Sequence, residues 1–139
     1  MGDVDYTVRP IGFVRSTLRD RREAPRQAYE GAPEAVLELD PEFAPALHLV
    51  RPGHELILLT WLHLADRSVL QTHPRDDLGA PLTGVFATRS SDRPNPIGLH
   101  RVTVVAIESP SRLRVSTLEA IDGTPILDLK AVVAEARDE

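Results

Sequence analysis

Residues 87–99, with the sequence ATRSSDRPNPIGL, combine cationic side chains with a backbone that has little freedom. The two prolines fix their own φ angles and restrict the residues before them, whereas Gly98 allows another group to approach closely. Arg89 and Arg93 carry planar guanidinium groups that pair well with carboxylates and phosphates. Two interpretations follow: an anion-binding corner, or a rigid turn whose arginines pair with acidic residues elsewhere in the chain.

A second segment, Asp122-Gly123-Thr124-Pro125, also has two interpretations. Asp and Gly dominate tight turns, and a proline suits the start of the strand that follows. Because the Asp-Gly pair lies between two β-like runs, it predicts a hairpin. The functional alternative is a turn that presents a carboxylate and free backbone amides at the rim of the fold.

Other candidate residues are less specific. Pro25-Arg26-Gln27 is typical of a solvated loop. His63 lies in the same apolar run as Trp61, where it is either a core histidine or a polar contact at the wall of a pocket. The remaining histidines lack the spacing of metal ligands, so we expect no metal. Spacing alone does not assemble a Ser-His-Asp triad or a carboxylate pair, and the catalytic residues stay unknown.

The elements that must position these segments are mostly strands. The patterns predict strands over Val8–Val14, Ala35–Leu39, Glu55–Leu64, Gly84–Thr88, Leu99–Glu108, Leu113–Leu118 and Ile126–Val133. Residues 19–34 and 72–83 read as loops, and Asp40–Leu49 as one or two helical turns capped by Asp40. We therefore expect one mainly-β domain over residues 1–139, a small β-barrel with long loops and little helix, because closure hides strand edges.

Composition narrows the function. The chain has 139 residues, 42% of them hydrophobic, and no cysteine, so thiol chemistry and disulfides are excluded. The formal net charge of −5 argues against broad, salt-driven nucleic-acid binding. No apolar run is long enough to span a bilayer, and the start, MGDVDYTVRP, is unlike a signal peptide, so we expect a cytoplasmic protein. No glycine-rich phosphate loop is present, which argues against a Rossmann site.

These segments resemble the TsaA-like family, whose characterised members are TrmO-type tRNA methyltransferases. GVFATRSSDRPNPIGL at 84–99 is similar to the family signature, and DGTPILDLK at 122–130 follows in the family order. IGFVRS at 11–16 and PRQ at 25–27 match upstream, and the resemblance is loose only between Glu30 and Leu59. It implies a single-sheet β-barrel, often dimeric, that binds S-adenosylmethionine without a Rossmann domain.

The resemblance also implies site residues. Cofactor contacts are expected at Pro25, Arg26, Gln27, His63, Leu64, Arg89, Leu99, Asp122, Gly123, Thr124 and Pro125. Arg26 or Arg89 would hold the cofactor carboxylate, and Asp122 would accept hydrogen bonds from ribose or adenine. We expect Arg93 and Asn95 to contact the substrate. If a proton must be removed, Asp122, His63 or water are the candidates.

The function that the resemblance implies is methylation by a cytoplasmic homodimer. The acceptor in the characterised bacterial relatives is the exocyclic nitrogen of a threonylcarbamoyl-modified adenosine next to the tRNA anticodon. The acidic net charge and the end of the chain near the end of the barrel weaken the extension to tRNA. A dimer could restore RNA affinity by gathering Arg89, Arg93 and Arg101 from two chains. The alternatives are methylation of a small molecule, or a non-catalytic module that binds S-adenosylmethionine or a nucleotide.

Overall fold

Six strands close into one antiparallel barrel in the computed structural model, which describes residues 4–25 and 31–133. The eight strands of the described chain are β1 Gly12–Arg15, β2 Ala35–Leu39, β3 Glu55–Trp61, β4 Gln71–Thr72, β5 Thr83–Gly84, β6 Ile97–Ser109, β7 Arg112–Val115 and β8 Pro125–Ala131. The barrel order is β1-β2-β7-β6-β3-β8, and β8 pairs back with β1. β4 and β5 form a separate two-stranded ribbon. The predicted mainly-β barrel is confirmed.

The barrel interior follows from the alternation of side chains along each strand. In β2 the apolar residues at alternate positions are buried and those between them are half-buried. Leu37, Leu58, Leu113 and Ile126 are fully buried on four different strands and meet in one core cluster. Register shifts between β3 and β8 and between β6 and β7 make the barrel irregular.

Helical structure in the described residues is limited to short 3-10 segments, Pro41–Leu47, Pro74–Asp76 and Val85–Ala87. The first confirms the predicted helical turn, because the Asp40 carboxylate accepts a hydrogen bond from the Glu42 amide at 3.0 Å. The third shows that the predicted strand over Gly84–Thr88 is wrong beyond Gly84, which ends β5. Its carbonyls at Val85 and Thr88 accept hydrogen bonds from an arginine side chain instead of a neighbouring strand.

The Asp122-Gly123 pair forms a turn, but the predicted hairpin is wrong. β7 pairs with β2 and β6, whereas β8 pairs with β1 and β3, so the flanking strands are not neighbours. The turn instead continues the ladder of β1: the Gly123 amide donates to the Val14 carbonyl, and the Val14 amide donates to the Thr124 carbonyl. Gly123 has a φ of 83°, a left-handed conformation that favours glycine.

β3 ends at Trp61, earlier than the predicted end at Leu64. The Leu62 amide donates to the Pro96 carbonyl at 2.8 Å, and the Ala65 amide then turns back to the Leu62 carbonyl at 3.0 Å. His63 and Leu64 therefore leave the sheet in a turn. The end of β3 lies beside the start of β6 and the start of β8, because these strands are antiparallel neighbours.

Candidate functional site

A cleft of about 860 Å³ lies where β1 and β3 end and where β6 and β8 begin. Its lining residues come from segments 21–25, 62–65, 72–76, 87–93, 97–100 and 119–124. Arg89 from the proline-rich loop and Thr124 from the Asp-Gly turn both line it. The two segments that the sequence singles out therefore meet at one cavity, whose volume suits a ligand of nucleotide size.

The Arg93 guanidinium holds the loop that carries Arg89. Its Nε donates to the Ser90 carbonyl, and its Nη2 donates to the carbonyls of Val85 and Thr88, each at 2.7 Å. Three of its five N–H groups are thus used within its own loop. Arg93 also lines the cleft, so Nη1 is the part of the side chain left for a substrate, and the predicted substrate contact stays a prediction.

Arg89 lies in the cleft wall as an exposed side chain. Across residues 4–25 and 31–133, no hydrogen bond or ion pair engages its guanidinium. This contrasts with Arg93 in the same loop and with Arg21, which donates to the Leu64 carbonyl at 2.9 Å and pairs with Asp92 at 3.1 Å. Arg89 is accordingly a guanidinium on a fixed backbone with its donors available to an anion.

Asp92 joins its own loop to Arg21 and to the turn after β3. Its Oδ1 accepts hydrogen bonds from Arg21 Nη2 and from the Asp66 amide, the latter at 2.8 Å. Hydrogen bonds from the Ser68 hydroxyl and amide lower the pKa of Asp66 below its usual range. The next residue after Asp66 is Arg67. Arg67 contacts Asn95, which is a predicted substrate residue.

Asn95 lies outside the cleft lining and packs against the turn after β3. Its Oδ1 accepts from Arg67 Nη2 at 2.9 Å, and Arg67 Nε donates to the Pro94 carbonyl at 2.7 Å. The same guanidinium lies over the Trp61 ring, 5.1 Å from its centre. The geometry gives Asn95 a role in fixing the proline corner, and contact with a substrate stays a prediction.

The predicted cofactor residues divide by location. Those that line the cleft are Pro25, His63, Leu64, Arg89, Leu99 and Thr124. Asp122, Gly123 and Pro125 lie directly beside it but do not line it. Arg26 and Gln27 lie outside the described residues. His63 is exposed at the cleft wall rather than buried in the core, which decides between its two predicted locations.

The Asp122 carboxylate stabilises its own turn. Oδ1 accepts from the Ser16 amide at 3.0 Å, and Oδ2 lies 3.7 Å from Arg19 Nη1. The neighbouring Thr124 is buried, and its hydroxyl donates to the Ile121 carbonyl at 2.7 Å. These bonds hold the turn against the end of β1 and thereby place Thr124 in the cleft wall.

The sequence interpretation missed a buried polar chain in the cleft floor. His100 Nδ1 lies 2.5 Å from Glu119 Oε1, and His100 Nε2 lies 2.8 Å from Thr60 Oγ1. His100 and Glu119 both line the cleft. Alternation along β6 places Gly98 and His100 on the same inward face, and this pattern was the signal in the sequence that His100 is buried. The hydrogen-bond partners of His100 are distant in sequence, so the pattern could not identify them.

Three further observations concern predictions made from the sequence. Within the described ranges, no three His, Asp or Glu side chains gather in a group that could hold a metal ion. No helix of the described part is long and apolar enough to cross a membrane. Arg101, predicted as part of a basic groove, donates to Glu55 at 2.8 Å, and this contact lowers the pKa of the Glu55 carboxyl.

Comparison with known proteins gives one consistent family. The model of the tRNA-methyltransferase O N-terminal domain matches residues 13–138. A probable S-adenosyl-L-methionine-binding protein from Methanothermobacter thermautotrophicus is 38% identical over 130 residues, which cover 94% of this chain and 92% of the relative. A putative S-adenosylmethionine-dependent methyltransferase from Pseudomonas aeruginosa, RcsF, is 36% identical over 96% of this chain and 57% of its own length.

The fold is shared with a solved structure. The crystal structure of TrmO from Pseudomonas aeruginosa superposes with a TM-score of 0.75 at 34% identity. The alignment covers 97% of this chain and 58% of the TrmO chain, so the present sequence spans little more than half of that protein.

Proposed function

The chain belongs to the tRNA-methyltransferase O family, because the model of its N-terminal domain matches residues 13–138, and we propose that it is an S-adenosylmethionine-dependent methyltransferase. The observation that carries the proposal is the cleft in which Arg89, which has no partner among the described residues, faces the same space as Thr124. Relatives named for binding S-adenosylmethionine support the choice of cofactor.

The cleft residues fit the chemistry of the cofactor. Arg89 offers a bidentate site for its carboxylate. Leu64 and Leu99, which are 52% and 44% exposed, offer apolar surface for its adenine or methylene groups. The Asp122 turn places Thr124 in the lining of the same cleft. Carboxylate, adenine and methylene groups thus each find a matching side chain.

The chain's part in catalysis is alignment. S-adenosylmethionine supplies a methyl group on a sulfonium, whose sulfur is already a good leaving group. The protein must fix the nucleophile, the methyl carbon and the sulfur in line and exclude water. Arg93 and Asp92 serve this purpose by fixing the loop of Arg89 through side-chain hydrogen bonds. The main contribution of the protein to catalysis is therefore a rigid loop that binds and aligns the cofactor.

We propose tRNA as the methyl acceptor, at the exocyclic nitrogen of a threonylcarbamoyl-modified adenosine beside the anticodon. The local charge of the cleft supports an anionic partner, although the chain as a whole is acidic. Its basic lining residues are Arg21, Arg22, Arg75, Arg89 and Arg93, and its acidic ones are Asp76, Asp92 and Glu119. An unstacked loop base is also the kind of RNA target that proteins recognise best.

The proposal includes a cytoplasmic homodimer. Ile97, Leu99 and Leu64 are each close to half exposed around the cleft, and a second copy could cover this apolar surface. Two copies would also bring two sets of cleft arginines together, which favours RNA binding.

The test is mass spectrometry of tRNA nucleosides from cells with and without the protein. We expect the deletion to remove one methyl group from the threonylcarbamoyl-modified adenosine and the wild-type gene to restore it. Unchanged tRNA together with measurable cofactor binding would support the alternatives, a small-molecule methyltransferase or a non-catalytic binding module. Methyl transfer from labelled cofactor to a small-molecule fraction would then separate these two.

A further inference from the structure

A polar chain of three side chains runs from the cleft into the barrel core. The Glu119 side chain is 15% exposed and that of His100 is 5% exposed, whereas Thr60 is fully buried. Only Glu119 and His100 of the three line the cleft. A buried polar chain of this kind is costly unless every member has its hydrogen bonds, and here each does.

Glu119 is the member that can reach a ligand. Both ring nitrogens of His100 are engaged, Nδ1 by Glu119 Oε1 and Nε2 by Thr60 Oγ1. Within the part of the chain that the structure describes, Glu119 Oε2 has no hydrogen-bond partner. At the cleft, these three hydrogen-bonded side chains therefore end in one carboxylate oxygen, Glu119 Oε2, whose lone pairs are available.

These three side chains can take up a proton without losing a hydrogen bond between them. The Thr60 hydroxyl can donate to Nε2 of a neutral imidazole, and it can accept from Nε2–H of an imidazolium. Glu119 Oε1 can likewise accept from Nδ1–H while Oε2 carries a proton. Both protonation states thus keep the two hydrogen bonds of the His100 ring, so the imidazole stays fixed while a proton is taken up or released.

Most other candidate bases of the cleft either have hydrogen-bond partners already or are exposed. Asp92 accepts from Arg21 and from the Asp66 amide, and Asp76 also has a bonding partner. His63 is exposed in a turn. His73 is the strongest rival, because its Nδ1 donates to the Ala80 carbonyl at 3.0 Å and leaves Nε2 as an acceptor. His73 lies in a loop, however, whereas the Glu119 carboxylate is held by a buried partner.

We propose that Glu119 is the base that receives the proton of the methylated nitrogen, with His100 and Thr60 as positioning residues; this rests on the proposed methyltransferase function. The nitrogen lone pair forms the N–C bond, and the C–S pair stays on sulfur, which becomes a neutral thioether. The N–H bond breaks, its electron pair stays on nitrogen, and the proton forms an O–H bond at Glu119 Oε2. Release of that proton to solvent restores the carboxylate.

The test separates binding from chemistry. Cofactor affinity is measured by calorimetry, and methyl transfer is measured in single turnovers with saturating cofactor and tRNA from cells that lack the protein. The variants are Glu119→Gln, Glu119→Asp, Thr60→Val and His73→Gln. Glu108→Gln is the matched control, because Glu108 pairs only with Arg112 and Arg114 among the described residues and lies outside the cleft.

We expect Glu119→Gln to lower the transfer rate by about 100-fold or more while cofactor affinity changes less than threefold. Glu119→Asp restores part of the rate, Thr60→Val lowers it by a smaller factor, and Glu108→Gln matches wild type. Proton NMR of the protein without cofactor gives a second readout: a far-downfield Nδ1–H resonance of His100 that disappears in Glu119→Gln.

Three results would overturn the inference. One is a wild-type rate in Glu119→Gln. Another is a tenfold loss of cofactor affinity with an unchanged rate at saturation, which would make Glu119 a cofactor ligand. The third is a larger loss of rate in His73→Gln than in Glu119→Gln, which would make His73 the base. If wild type binds the cofactor but transfers no methyl group to tRNA, the tRNA acceptor of the proposed function fails instead.

Discussion

Gly98 faces Thr60 across the ladder between β3 and β6 so closely that a β-carbon at position 98 would lie 2.4 Å from Thr60 Oγ1. The same carbon would lie 2.7 Å from His100 Nε2. The glycine of the proline-rich segment is therefore required by the hydrogen bond between Thr60 and His100. This contact connects a sequence motif at the cleft to a buried polar chain that the motif does not contain.

Gly98→Ala is expected to lower the free energy of unfolding by about 2–4 kcal/mol, because the new methyl group separates Thr60 from His100 and overpacks the core. Urea unfolding measures the change. Gly84→Ala is the control, since Gly84 has a φ of −60° and open space around it, and its effect should stay within about 1 kcal/mol. Equal stability of the two variants would contradict the contact.

Arg93→Lys is expected to destabilise the loop at 85–93 despite the conserved charge. A lysine ammonium cannot donate to the carbonyls of Val85, Thr88 and Ser90 in the geometry of a guanidinium. We expect a loss of about 2 kcal/mol or more, and faster amide exchange confined to this loop. Unchanged exchange at residues 85–93 would show that Arg93 does not hold the loop.

Arg89→Ala is expected to weaken S-adenosylmethionine binding tenfold or more without changing stability. The guanidinium has no partner within the described residues, so its removal costs the fold nothing, while a charge-assisted bond to the cofactor carboxylate is worth ~1.5–3 kcal/mol. Calorimetry measures the affinity. Arg114→Ala removes an arginine that pairs with Glu34 and Glu108 outside the cleft, and it should bind as wild type. An unchanged affinity in Arg89→Ala would remove Arg89 from the site.

Asp122→Asn and Asp122→Ala should differ. Asparagine keeps an oxygen acceptor for the Ser16 amide and loses only the exposed pair with Arg19, which is worth little. Asparagine should therefore retain stability and cofactor affinity within threefold, whereas alanine should lose about 1 kcal/mol of stability and weaken binding through the displaced turn. A tenfold loss of affinity in Asp122→Asn alone would show direct contact of the charge with the ligand.

The turn at Asp66 should respond to acid. Hydrogen bonds from the Ser68 hydroxyl and amide lower the pKa of the folded carboxyl, so its contribution to stability is fully present above the unfolded pKa. That contribution is lost as the pH falls through the lowered folded value. An NMR titration of the Asp66 carboxyl should give a midpoint below the usual aspartate range, and Ser68→Ala should raise it. A midpoint that Ser68→Ala leaves in place would contradict this cause.

The barrel was predictable because its signals are local. The alternating pattern of Ala35–Leu39 and the apolar run that begins at Glu55 each give a strand in the structure. Where a local sequence pattern competed with a tertiary contact, the prediction made from the pattern was wrong. Asp122-Gly123 has the sequence of a hairpin turn, but hydrogen bonds to Val14 draw it onto β1 instead.

The candidate site was predictable only in part. The family resemblance selected Arg89 and Thr124, and both line the cleft. The sequence could not reveal that Arg93 is used by carbonyls of its own loop, since carbonyl directions depend on a 3-10 turn that replaced the expected strand. Glu119 and His100 were missed because no spacing rule connects a strand residue to a later loop.

We propose that the cleft between the proline-rich loop and the Asp-Gly turn binds S-adenosylmethionine. Titration of the isotopically labelled full chain with the cofactor, followed by amide NMR, is the decisive experiment. We predict saturable shifts concentrated in segments 21–25, 62–65, 72–76, 87–93, 97–100 and 119–125. Shifts centred on the distant turn between β6 and β7, or no saturable shift at millimolar cofactor, would contradict it.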